Sequence, residues 1–323
     1  MSNPAISVIM SAFNGENYLT EAIKSVLDQS FSNFEFIIIN DGSIDNSLTI
    51  INGFAESDKR ITVINNPVNL GLTKSLNIGL KCSKGKYIAR MDCDDIAFTD
   101  RFEKQYNFLE ENLNVFLLGS EAIKIDANGN KLNTVKLVYG SNNIKRVLES
   151  KNCLIHPTIL FRNIKGMLYR EKFTFSQDYD FYLNLLTKNL LIDNLNQPLI
   201  YHRVLNEKSV SSINLKQQLL NKSLASKFYF ERTKLNHDSY DKLVFENLNN
   251  TLDFLEISEK ELNNKVIELN VLSYLQKQQY SFAKDSLKSY DGNYFSKLLL
   301  SLIVTMPNAY NIYRFLRYKN NGS

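Results

Sequence analysis

The sequence predicts an α/β fold in which a mostly parallel sheet is covered by helices and followed by a helical C-terminal region. Short β-branched runs alternate with amphipathic segments through the first part of the chain, the pattern of strands linked by crossover helices. Polar, glycine-containing turns follow the runs. Beyond Ser212 glycine and proline become scarce, and Leu, Lys, Asn and Glu recur at helical spacing as far as Leu275.

Taken in order, residues 6–10, 36–39, 61–64 and 86–91 read as the first four strands. Between the first two, residues 18–28 place Leu19, Ala22, Ile23, Val26 and Leu27 on one helical face. Residues 72–82 do the same through Leu72, Leu76, Gly79 and Leu80. Runs at 115–118 and 158–161 add strands that close the sheet with a less regular edge. A helix is expected to begin near Asp100, and a second one, 181–191, to be opened by Ser176, Gln177, Asp178, Tyr179 and Asp180. The change of character near residue 213 divides the chain into a sheet domain, 1–212, and a helical region, 213–323.

A chain of 323 residues with 44% hydrophobic and 22% charged residues has the composition of a folded, water-soluble protein. A net charge of +4 is too small for a dedicated nucleic-acid binder, so no nucleic-acid partner is expected. Three cysteines without a CxxC pair give neither a disulfide framework nor a structural zinc site, which fits a reducing cytoplasm. The N-terminus carries no export signal pattern, and no apolar stretch reaches the ~20 residues that span a bilayer.

In an open α/β sheet the ligand sits beyond the carboxyl ends of the strands. After the first strand stand Ser11, Ala12, Phe13, Asn14 and Gly15; after the second, Asn40, Asp41, Gly42 and Ser43. Either turn alone is ordinary Asn-Gly or Asp-Gly chemistry. Together at neighbouring strand ends they suit a flat base: Phe13 offers a ring face, and Asp41 can accept the imide N–H of uracil. After the fourth strand come Arg90, Met91, Asp92, Cys93, Asp94 and Asp95. Alternate residues of a strand share a side, so Asp92 and Asp94 can face one cleft, where their charges repel unless a cation lies between them. Hard oxygen ligands of this kind suit Mg²⁺ or Mn²⁺. Acidic capping of the next helix accounts for Asp95 or Asp100 but poorly for Asp92.

The segments ISVIMSAFNG, IIINDGSIDNS, NLGLTKSLNIGL and YIARMDCDDI resemble the donor half of family 2 glycosyltransferases with a GT-A fold, over most of residues 5–110. The resemblance implies an inverting transfer of a sugar from a nucleotide diphosphate donor, of UDP type on the chemistry above, to a glycan or lipid-linked acceptor hydroxyl. It also implies that Asp41 contacts the base, that Asp92 lies near the ribose and diphosphate, and that Asp94 is the direct metal ligand of a DxD motif. Asn69, Leu70, Gly71 and Arg90 would line the nucleotide pocket.

Ser176, Asp178 and Asp180 are good first-turn residues, and capping accounts for them locally. The family carries an ED motif at this place, whose aspartate is the general base. Gln177-Asp178 is similar to it with Gln for Glu, which makes Asp178 the expected base. His156, before Pro157 and Thr158, resembles a family feature near the acceptor side, although a lone histidine also serves structure. Tyr201 to Asn206 is similar to the family's closing loop, in which a histidine follows the arginine by two positions; here that position is Leu205, and His202 or Arg203 is expected to approach metal or phosphate instead.

Two rival functions were open to the sequence. A nucleotidyltransferase would need a glycine- and lysine-rich triphosphate loop near the N-terminus, and none is present. A non-catalytic nucleotide-binding scaffold would not need Asp41, Asp92, Asp94 and Asp178 together. The tail, with Tyr294, Phe295, the apolar run 298–306, Pro307 and then Tyr310, Tyr313 and Phe315 among Arg314, Arg317 and Lys319, admits two readings. It is an interfacial segment on an anionic membrane, placing the protein peripherally at the inner face, or a helix packed on the catalytic domain.

Overall fold

The computed structural model describes residues 3–205, 215–244, 248–276 and 280–292, with single positions at 297, 300, 301 and 304. Strands β1 (Ile6–Ala12), β2 (Phe34–Asp41), β3 (Ile61–Asn66) and β4 (Tyr87–Asp92) form where expected. They pair parallel in the order β3-β2-β1-β4. Strands β1, β2 and β4 are almost wholly buried, as strands covered on both faces must be. Helix α1 (Leu19–Leu27) buries Leu19, Ala22, Ile23 and Val26, the stripe that its sequence spacing dictates. Helix α2 (Ser47–Ser57) follows β2, and α3 (Leu72–Cys82) follows β3. Gly79 lets α3 lie close on the sheet, for a Cβ there would stand 2.6 Å from Cγ2 of Ile9.

Register fixes the functional edge. Ser11 lies opposite Ile39 on one side and Asp92 on the other, and Asp41 pairs with Asn66. The residues that follow β1, β2, β3 and β4 therefore emerge along one edge.

The second half of the sheet is mixed. Beyond β4 it continues through β8 (Leu160–Arg162), β6 (Val115–Ile125), β9 (Leu191–Arg203) and β5 (Ile96–Ala97), while β7 (Lys131–Val135) pairs with β6 off this path. Helix α4 (Arg101–Glu111) begins directly after Asp100, α5 (Ser141–Leu148) follows β7, and α6 (Gln177–Thr187) precedes β9.

Four expectations change here. The strand expected at 158–161 begins only at Leu160, because His156–Thr158 forms a 3-10 turn around Pro157, which lacks the N–H of a ladder. The strand expected at 115–118 runs on to Ile125. The helix expected at 181–191 is Gln177–Thr187: the amides of Lys188 and Leu190 bond back to Leu185 O, Asn189 takes a left-handed φ of 55°, and Leu191 opens β9. Tyr201, His202 and Arg203 are the end of β9 and not a loop. Asn206, in the same motif, is outside the described residues.

The boundary expected near residue 213 also falls outside the described residues. The chain divides into two compact units, one of Met1–Ile213 with Leu224–Tyr240, the other of Asn214–Ser223 with Asp241–Ser323. Helix α7 (Leu215–Leu235) contributes to both. The second unit holds α8 (Leu248–Leu255), α9 (Glu259–Gln276) and α10 (Tyr280–Lys288). Leu220, Leu252 and Leu262 form one of its cores, and Val271, Leu275, Ala283, Leu287 and Tyr290 form another with Leu300 and Val304. The two described apolar residues of the tail run 298–306, Leu300 and Val304, are thus buried in the core of the second unit. The rings and cations beyond it, from Tyr310 to Lys319, are outside the described residues. Among the described residues no helix is long and apolar enough to cross a membrane.

Candidate active site

Two turns, those after β1 and β2, are laced together at the carboxyl edge. Asn14 takes a left-handed φ of 51°; its amide donates to Ser43 Oγ at 3.0 Å, and its Oδ1 accepts the Ile44 amide at 3.0 Å. The Gly15 amide donates to Ser47 Oγ at 2.9 Å. Phe13 is left 47% exposed, its ring open to a ligand.

Asp41 ends β2 as expected, but its carboxylate turns inward. Oδ1 accepts from Asn66 Nδ2 at 2.8 Å and from the Leu70 amide at 2.9 Å, and Oδ2 accepts from the Gly71 amide at 3.0 Å. Asn69 Oδ1 accepts a second contact from Gly71 N–H at 2.9 Å. The expectation that Asp41 reaches out to a base is refined accordingly. It holds the loop carrying Asn69 and Gly71 in place, and one lone-pair site on Oδ2 remains beyond these bonds.

After β4, one carboxylate oxygen from each of Asp92, Asp94 and Asp95 lies within 4.8 Å of the others. Asp92 and Asp94 are part-exposed and Asp95 is fully buried. Burial, reinforced by the charges of Asp92 and Asp95, pushes the Asp94 carboxyl up to about 7. Asp95 receives the Arg203 amide at 2.8 Å and His202 Nδ1 at 3.1 Å. Burial works to lower the His202 pKa, but the Asp95 contact and the Asp92 and Asp94 charges outweigh it and raise it. His202 therefore stands beside the acidic cluster, against Asp95. Arg203 does not offer a phosphate contact: Nε donates to Asp94 O at 2.8 Å, Nη1 to Asp126 O and Ala127 O at 3.2 and 3.3 Å, and Nη2 to Glu21 at 2.7 Å. It is buried and braces the backbone of the Asp94 turn.

Arg90 is 4% exposed and pairs with Asp92 through Nη2, while Nε and Nη1 have no hydrogen-bond partner among the described residues. Its charge also acts on Asp178. That carboxyl is raised by burial and eased downward by the Tyr179 amide, by Arg90 and by Asn152, whose Nδ2 donates to Oδ2 at 2.8 Å. Gln177 is buried in the same first turn of α6. His156 is buried and meets Tyr169 Oη through Nε2 at 2.8 Å; desolvation, with Arg90 nearby, keeps it neutral. It supports the wall of the site and is not at its surface. Asp180, two residues beyond Asp178, is taken up in an ion pair with Arg170.

The model of glycosyl transferase family 2 matches residues 7–169. The chain belongs to this family. An uncharacterized glycosyltransferase of Haemophilus influenzae is 32% identical over 98% of each chain. The O-antigen biosynthesis glycosyltransferase WbnJ of Escherichia coli is 33% identical over 64% of this chain and 82% of its own. Among solved structures, S. aureus TarS with UDP-GlcNAc superposes with a TM-score of 0.56 at 18% identity, covering 87% of this chain and 88% of TarS. The mannosyltransferase PcManGT of Pyrobaculum calidifontis, in complex with GDP-Man and Mn2+, does so at 0.55 and 13%, covering 96% and 86%. The glycosyltransferase fold is thus that of a GT-A enzyme.

Sequence reasoning placed Asp92, Asp94, Asp178 and His202 at one region of the fold. It missed Asn152, which stands in no motif, and it left Asp95 open between the carboxylate cluster and a helix cap, when the residue's full burial beside His202 and Arg203 makes it the anchor of the acidic turn.

Proposed function

We propose that this glycosyltransferase transfers a sugar from a nucleotide diphosphate donor, of UDP type, to an acceptor hydroxyl in surface-glycan assembly, with inversion at the anomeric carbon. The observation that carries the reading is the acidic turn after β4: one carboxylate oxygen from each of Asp92, Asp94 and Asp95 lies within 4.8 Å of the others, and the buried Arg90 pairs with Asp92. The base of the nucleotide lies against Phe13 and the loop 69–71 held by Asp41, with Ser11 and Asn14 shaping the turn beneath it.

Three carboxylates are a hard, all-oxygen donor set, and their mutual repulsion, which adds to burial in raising Asp94, is what a divalent cation relieves. The residues fit Mn²⁺ or Mg²⁺, with Asp94 and Asp92 as ligands and Asp95 and His202 behind them. Such an ion supplies charge stabilisation to a departing diphosphate. Asp178 accepts the proton of the acceptor hydroxyl as that oxygen bonds to the anomeric carbon. The bond from that carbon to the donor phosphate oxygen breaks with its electron pair leaving on the nucleoside diphosphate, and a single displacement inverts the centre. A raised carboxyl pKa makes Asp178 a better base near neutrality than a solvated aspartate.

The reading is tested by titrating UDP and GDP into the protein with and without Mn²⁺. UDP is expected to bind more tightly with the ion and more tightly than GDP, and Asp94→Ala is expected to lose most of the gain from Mn²⁺. Equal UDP affinity in the two conditions for the wild type would remove the metal assignment; preference for GDP would move the donor class. A thermal-shift panel of nucleotide sugars then selects the donor, since a ligand bound only by the native state raises its stability.

A further inference from the structure

A strap of five residues, 169–173, joins the donor side of the site to the helix that bears Asp178. On the donor side it is bonded to α3, which begins immediately after the Asp41-held loop. Asn77 Nδ2 donates to Tyr169 O at 2.9 Å and Asn77 Oδ1 accepts the Tyr169 amide at 2.9 Å, while Thr73 Oγ1 donates to Phe173 O at 2.6 Å. On the other side Arg170 forks onto Asp180: Nε donates to Oδ2 at 2.8 Å, and Nη2 meets Oδ1. Asp180 is 1% exposed and stands in the first turn of α6, where its amide bonds to Ser176 O.

Arg170 is itself enclosed. Its Nη1 donates to Asp238 at 2.6 Å, and its guanidinium carbon lies 4.3, 4.9 and 5.4 Å from the ring centroids of Tyr240, Phe228 and Phe173. A guanidinium packed against aromatic rings and bound two-pronged to a carboxylate has one orientation available to it, unlike an ammonium in the same place. Buried ion pairs contribute little net stability, because desolvation offsets the attraction, and their best-attested use is to specify geometry.

We infer that Arg170 and Asp180 are positioning residues for sugar transfer: the strap carries the placement of the donor loop to the first turn of α6 and so sets Asp178 against the donor. The inference rests on the assignment of Asp178 as the base. It also gives residues 224–240 a part in the catalytic unit, since Phe228, Asp238 and Tyr240 hold the guanidinium in place.

The test uses the full chain with Mn²⁺ and the donor selected by the panel, reading release of the nucleoside diphosphate with water as acceptor. Arg170→Lys, which keeps the charge and loses the fork, is expected to lower turnover by about 10- to 100-fold, the scale of a misplaced catalytic group. UDP affinity is expected to stay at the wild-type value. The acid limb of the turnover–pH profile should move to lower pH as the half-buried Asp178 is turned further to solvent. Wild-type turnover per folded molecule would overturn the inference, leaving the pair a stabilising contact only; so would a loss of UDP affinity that accounts for the whole loss of turnover. Should Arg170→Lys fail to fold, Thr73→Val, which removes the bond to Phe173 O from the opposite end, is judged by the same readouts. Asp178→Asn is measured alongside: if it keeps wild-type turnover the base assignment fails, and if it is inactive while both strap variants are unimpaired only the positioning inference fails.

Discussion

The donor edge and the base helix place their working groups by different means. At the donor edge, parallel strands in register deliver successive turns to one line, and short bonds between neighbouring turns fix them, as between Asn14 and Ile44 or Asp41 and Gly71. Backbone amides do much of that work. At the base helix each contact runs through a side chain of the helix itself: Asn152 touches Asp178, Leu148 O receives Tyr179 Oη at 2.7 Å, and Asp180 is held by Arg170. On the proposed function, the site has a donor half set by topology and a chemical half set by tertiary packing. Substitutions on the two sides should therefore separate binding from turnover.

The largest separation is expected from Asp178→Asn. The amide keeps the shape and most of the contact with Asn152 but cannot take a proton, so turnover should fall by a factor on the order of 100 to 10,000. UDP affinity with Mn²⁺, measured by calorimetry, should change little. Turnover within a few-fold of wild type would leave Asp178 a helix cap and join the two halves of the comparison. Asp180 could not then take over the role without breaking its pair with Arg170.

The opposite separation is expected from Gly42→Ala. Gly42 has φ +71°, and a Cβ there would lie 2.4 Å from both Val68 C and Asn69 N, so the turn after β2 touches the donor loop backbone to backbone. Strain of about 1–3 kcal/mol must be relieved by moving one of the two turns. If the loop moves, UDP binding weakens by roughly tenfold for each 1.4 kcal/mol so transferred. Turnover at saturating donor should remain that of the wild type. An unchanged affinity together with a lowered unfolding midpoint would show that the strain stays outside the pocket.

The same difference accounts for what could be read from the chain. Strands β1 to β4, helices α1 and α3 and the turn residues Asn14, Asp41 and Asp92 were legible because hydrophobic period and turn chemistry are local, and parallel register does the rest. The acidic turn was legible as a cluster, but not the division within it, in which Asp95 is buried and served by His202 and Arg203 from β9, more than a hundred residues on. Arg203 read as a phosphate contact because residues 201–206 are similar to the family's closing loop, whereas the carbonyls that engage it are not visible in the chain. The end of α6 was misplaced by a reversal at Asn189 that periodicity ignores. Asn152 and Phe228 carry no signal at all, since their importance lies only in what they touch.

The smallest expected effect concerns charge at the acidic turn and sharpens the comparison from the side of pH. Asp94 is raised from 3.8 to about 7 in the metal-free fold, by burial first and then by Asp92 and Asp95. Between those two values the native state holds a proton that the unfolded chain has released. Native proton binding in excess of unfolded makes stability fall as pH rises, so this contribution is present below pH 3.8 and lost as pH climbs through 7. His202, also raised, has the same sign: its contribution is complete below 6.5 and lost as pH rises through its folded pKa. Many other carboxylates titrate in the same range, which is why the informative quantity is a difference between two curves. With a chelator present, the unfolding midpoint should decline from pH 5 to pH 8 relative to the curve in Mn²⁺, because the ion takes the place of the Asp94 proton and removes the repulsion. Stabilisation by Mn²⁺ should accordingly be larger at pH 8 than at pH 5, and binding at pH 6 should release protons, read as a dependence of the calorimetric heat on buffer ionisation enthalpy. Parallel curves with and without the ion, and a heat independent of buffer, would mean that the cation is held elsewhere than by Asp94.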